Sequence, residues 1–199
     1  MNQGFLDIRV SNLVLALLLG LIIATPASFA DDNEKPLKLF ENNDEWNVTL
    51  SGPWRNIKRN VELDRDYPAQ LTYPGPDGRP VTADIEVAPR GITRRLRACD
   101  FPPLKVLFDK NKMKGTALRG NKSLKLVTYC DTNSKYEQYY IKEYLTYRIY
   151  NLITDFSFRV KPLQIEYVDS DGKDKTITRF GFLIEDIDDV AKRNNMEKL

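Results

Sequence analysis

Short alternating runs of apolar and polar residues fill most of the chain and are broken by one long stretch of helical period. Trp46-Asn47-Val48-Thr49-Leu50 alternates as a half-buried strand does. Residues 70–73 and 81–87 alternate on either side of Pro74-Gly75-Pro76-Asp77-Gly78, and that turn chemistry predicts a β-hairpin. Residues 104–108 and 124–129 are two further strand-like runs, each with a lysine among apolar neighbours. Ser134 and Glu137 then have the S-x-x-E spacing of a capping box. From there Ile141, Leu145, Ile149, Leu152 and Ile153 recur at helical intervals, which predicts a helix over 137–154 with those residues facing the core. Its tyrosines, Tyr136, Tyr139, Tyr140, Tyr144, Tyr147 and Tyr150, are expected to be packing and rim residues. Residues 163–168 and 176–184 alternate around Asp169-Ser170-Asp171-Gly172-Lys173, a second hairpin, and a charged tail occupies 185–199. The expected fold is an α+β domain: an antiparallel β-rich half, one long helix, then a β-hairpin.

The amino-terminal residues read as a targeting segment. Residues 13–24 form an uncharged apolar run of twelve, preceded by Arg9 and followed by Pro26 and Ser28-Phe29-Ala30. This predicts a signal peptide over 1–30, cleaved after Ala30, because about 20 apolar residues are needed to cross a bilayer. A retained anchor is the alternative. Residues 31–45, polar and acidic with Pro36, read as a flexible leader, and 46–199 as the folded domain, with no further apolar segment to span a membrane. A secreted or periplasmic location follows. That compartment permits disulfides, and pairing of Cys99 with Cys130 would close 32 residues; two buried free thiols are the alternative.

Composition narrows the chemistry. The chain has no histidine, which excludes Ser-His-Asp and Cys-His nucleophilic sites and the H-E-x-x-H zinc motif. Among 199 residues, 30 Lys+Arg against 28 Asp+Glu leave a net charge of +2, too little for nucleic-acid binding as the main activity. Neither a Walker loop nor a Rossmann turn is present. Local charge is more informative. Arg90-Gly91-Ile92-Thr93-Arg94-Arg95-Leu96-Arg97 places four arginines after a strand, with a glycine that lets backbone N–H groups approach an anion. It is either a phosphate-binding loop or a solvated basic one. Lys105, between Leu104 and Val106, must snorkel or meet an acid, and Glu185, at the end of the apolar run 180–184, is its best partner. Glu185-Asp186-Ile187-Asp188-Asp189 also reads as a solvated helix start.

In their order these pieces resemble the CotH kinase family, the spore-coat-protein-H-like secreted atypical kinases. Members carry a motif like R-G-N-S-S-R, then P-K-K at a strand start, a helix, and a strand reading like G-x-Y-x-L-x-E. The counterparts here are Arg90-Gly91-Ile92-Thr93-Arg94-Arg95, Pro103-Leu104-Lys105, the helix, and Gly181-Phe182-Leu183-Ile184-Glu185. The resemblance implies part of an atypical protein-kinase-like fold. It implies that Arg90, Thr93 and Arg94 face phosphate, that Lys105 holds the nucleotide phosphates, and that Glu185 is its ion-pair partner. It also implies ATP and Mg2+ as cofactors and a protein as phosphoryl acceptor. Asp188 and Asp189 lie too close to Glu185 to replace the aspartates that the family places further on, so the match is to the family's N-terminal half. These 199 residues alone are expected to be inactive. The competing expectation is a non-catalytic binding module whose basic loop holds an acidic partner.

Overall fold

The alternating segments do become strands, but they close on themselves. The computed structural model describes residues 38–197; the expected signal peptide over 1–30 and the first part of the leader lie outside the described residues. The strands are β1 (Trp46–Gly52), β2 (Tyr67–Pro74), β3 (Pro80–Pro89), β4 (Leu104–Leu107), β5 (Ser123–Val127), β6 (Val160–Asp169) and β7 (Ile177–Ile184). They form a closed barrel in the order β1-β2-β3-β4-β5-β7-β6. Both expected hairpins are present, as β2–β3 and β6–β7. What corrects the α+β expectation is the closing pair. β1 runs parallel to β6, from Trp46 opposite Leu163 to Gly52 opposite Asp169, so the sheet has no free edge. The result is a seven-stranded mixed barrel with few helices, not a β-rich half followed by a helix and a hairpin and not part of an atypical protein-kinase-like fold.

Alternation decides what fills it. Val48 and Leu50 on β1, Ala69 and Leu71 on β2, Ile85 and Val87 on β3, and Leu163, Ile165 and Tyr167 on β6 are buried. Both ends are plugged. Where β1 ends, α1 (Trp54–Arg59) sets Trp54 against Gly52, at which a Cβ would lie 2.7 Å from the indole ring. Trp54 joins an edge-to-face cluster with Phe101 and Tyr167, and Tyr129 stacks on Phe101. Asp169 closes that end. Burial alone would raise its pKa, but backbone N–H groups of Lys173, Arg55, Asp174 and Trp54 together hold it below the ordinary carboxylate value. Where β1 begins, the 3₁₀ turn Lys38–Phe40 buries Leu39 and Phe40. Part of the segment expected to be a flexible leader is therefore packed in the core. Lys161 points into this end and is 1% exposed, with Nζ donating to Asn42 Oδ1 at 2.7 Å and lying 4.6 Å from the Trp46 ring centroid.

α2 (Glu137–Ile153) has the expected length and the opposite orientation. Tyr144 packs on Phe180 and Phe182, and Tyr147 on Phe158 and Phe182, against the outer face of β6 and β7. Ile149 is 57% and Leu152 83% exposed, and Ile141, Leu145 and Ile153 also face solvent. The tyrosine face wins because it meets aromatic rings already projecting from β7, and aromatic pairs add to area burial. The capping box does not form. Asn133 caps the preceding 3₁₀ turn Ser134–Tyr136, and Glu137 Oε1 accepts the Phe180 N–H at 2.6 Å. The expected tail contains α3 (Ile187–Arg193), capped by Asp186 through the Asp188 N–H. Cys99 and Cys130 are bonded, with Cα atoms 4.5 Å apart. Among the described residues no helix is long and apolar enough to cross a membrane.

Candidate functional site on the basic side of the barrel

The arginine-rich segment leaves β3 through Gly91, whose φ of +77° is a conformation that favours glycine. It then makes one π-helical turn, Arg94–Ala98. Two arginines fasten it to the barrel. Arg90 Nε donates to the Leu104 carbonyl at 3.1 Å, and Arg95 donates to the carbonyls of Val61, Glu62 and Pro89. Burial first, and repulsion by Arg94 second, lower the pKa of Arg90. Arg94 Nη1 pairs with Glu143 Oε2 on α2 at 3.1 Å. Thr93 and Arg97 face solvent, as do Ile92 and Leu96. The disulfide anchors the end of this segment to the residues after β5.

Lys105 and Glu185 do not meet. Lys105 is exposed on the outer face of β4, opposite Lys125 of β5 in the ladder. Glu185 is 2% exposed and lies beyond the last ladder pair of β7. Its carboxylate is fully engaged, by Arg193 Nε and Nη2 at 3.2 Å each and by the Arg159 N–H at 2.9 Å. Strand parity explains the separation. Leu183 and Leu126 pair on the inner face and Lys125 and Ile184 on the outer one, so Lys105 projects outward, whereas Glu185 follows the inward course of Leu183.

Arg90, Thr93, Arg94 and Lys105 nevertheless share one side of the barrel. Ala88 pairs with Lys105, and Arg90 bonds the carbonyl of the residue before it. Two residues extend the cluster without having been singled out. Glu143, rather than Glu185, supplies the carboxylate, and it also raises the pKa of Tyr147, after burial and against Arg90. Lys125 lies beside Lys105, with Nζ 5.6 Å from the Phe158 ring centroid. Glu143 could have been found only through its contact with Arg94, 49 residues away. The arrangement can hold anionic oxygens on a rim of exposed lysine and arginine.

For ATP and Mg2+ the expected Lys105–Glu185 pair does not fit, because its two members are on opposite faces of the sheet and the glutamate is spent on Arg193. A groove of about 460 Å³ lies on the outer face of β1 and β2, where Thr49 Oγ1 donates to Glu166 Oε2 at 3.0 Å; among the described residues no lysine or arginine lines it. Comparison of the chain with models of known protein families, with curated proteins and with solved structures finds no match.

Proposed function

We propose that this protein is a non-catalytic, exported binding module that holds an acidic partner on the basic side of its barrel. The observation that carries the reading is the convergence of Arg94, Lys105 and Lys125, from three elements, on one outer face, beside the exposed Arg97. Arg90 and Arg95 keep the loop in place and Arg94 shares its charge with Glu143, which leaves Arg97, Lys105 and Lys125 to solvent and to a ligand. Ile92 and Leu96 are exposed within the same loop, so the partner presents apolar side chains between its carboxylates or phosphates. The disulfide supports an oxidising compartment, secreted or periplasmic.

A second reading, Mg-ATP binding on the same face for transfer to a protein hydroxyl, is favoured by the gathering of Arg90 and Arg94 around Glu143, on the side of the barrel that carries Lys105. One titration series separates the two. Polyglutamate binding at low salt that weakens about two- to tenfold in Arg94→Ala and Lys105→Ala, and falls with ionic strength, is the expected result. Selective binding of Mg-ATP, lost in Lys105→Ala, replaces the first reading with the second. Binding of neither probe overturns both.

A further inference from the structure

A second cationic site lies beyond the C-terminal end of α2 and uses none of the basic side chains of the first. Beyond the helix C-terminus, residues 154–159 fold back toward β6 and meet α3. They enclose a cavity of about 300 Å³ whose wall includes Arg148, Arg159, Arg193, Asn43, Asn151 and Asp155. Arg193 is largely spent: besides both oxygens of Glu185 it reaches the carbonyls of Asp155 and Ser157, four of its five N–H donors. Its pairing with Glu185 balances its charge. The amide nitrogen of Asn151 is spent too, donating to Ser157 Oγ at 2.9 Å and to the Phe158 carbonyl at 2.8 Å.

The other two guanidinium groups are not spent. Arg148 donates through Nη1 to Asn43 Oδ1, and the side chain of Arg159 has no hydrogen-bond or ion-pair partner among the described residues. Asp155 is the carboxylate on this wall, so two arginines face one acid. Two underused forks beside a polar cavity match a tetrahedral oxyanion better than a single carboxylate, because such an anion offers acceptors to both forks at once. We propose that this cavity binds a small phosphate-bearing anion, with Arg159 as its principal ligand and Arg148 as the second. Inorganic phosphate and a phosphomonoester share that chemistry, and the cavity has room for an organic group beside the phosphate.

Calorimetric titration of the folded protein with inorganic phosphate, glycerol 3-phosphate and acetate tests the assignment. Phosphate is expected to bind, with affinity reduced at least tenfold in Arg159→Gln and reduced in Arg148→Gln. It should be unchanged in Lys122→Gln, an exposed site remote in sequence from the cavity wall. Tighter binding of glycerol 3-phosphate than of phosphate identifies an ester as the ligand, and the reverse identifies the free ion. Because the Arg159 side chain makes no hydrogen bond or ion pair to lose among the described residues, its variant should keep the parent melting temperature, which separates loss of binding from loss of fold. No phosphate binding, equal binding in parent and Arg159→Gln, or acetate binding as tightly as phosphate overturns the proposal.

Discussion

Lys161 carries an amino group into a barrel end that is otherwise packed with aromatic and aliphatic side chains. Burial lowers its pKa, and the nearby Asp44 charge only partly opposes this. The sign of the linkage follows. In the unfolded chain the group titrates near its ordinary value of 10.5, so between its lowered folded value and that pH the unfolded chain binds more protons. Stability attributable to Lys161 therefore rises with pH through this window, as the cost of keeping a buried charge is removed. Denaturant unfolding of the parent and Lys161→Met between pH 7 and pH 10 should show the parent gaining on the variant as pH rises. Tyr129 and Tyr167, whose pKa values burial raises, are present in both proteins and cancel in the difference. A difference that stays flat across the window means that the lysine reaches water. Alternation along 163–168 marks β6, but Lys161 precedes that run. The need for Asn42 and Trp46 to cover it is set by a segment 119 residues away.

At the scale of elements, α2 separates the length of a helix from its orientation. The three- and four-residue spacing of Ile141, Leu145, Ile149, Leu152 and Ile153 is a sound signal that the segment is helical. It does not say which face is buried when the opposite face is also apolar, and here that face is tyrosine. The choice falls to Phe180 and Phe182, outward residues of β7, which is formed later in the chain. Tyr144→Ala should therefore cost about 2–4 kcal/mol, a value for truncating a packed aromatic. Ile149→Ser should change stability by no more than about 0.5 kcal/mol, as an exposed substitution does. Equal losses in the two variants, measured by chemical denaturation, would put the aliphatic face against protein. The candidate site divides in the same way. Its arginine loop and Lys105 are legible because they are close in sequence, whereas Glu143 and Lys125 join them only through the packing of α2 on β7 and the pairing of β5 with β4.

For the whole molecule, the decisive contact is the one with the least local signal. Each hairpin announces itself by a turn, but the parallel pairing of β1 with β6 joins strands more than a hundred residues apart, and no turn marks it. Closure removes both edges, so no strand can fray without breaking ladders on both sides. The Cys99–Cys130 bridge spans 32 residues that include β4 and β5, and in the chain-entropy model its reduction costs about 3–4 kcal/mol. Because the barrel is one cooperative unit, that loss should be felt equally far from the bridge. Native-state hydrogen exchange under oxidised and reduced conditions should show amides of β1 and β6 losing the same protection as those of β4 and β5. If reduction lowers protection only in β4 and β5, the closing pair holds a separate unit, and the barrel is two half-sheets in contact rather than one continuous wall.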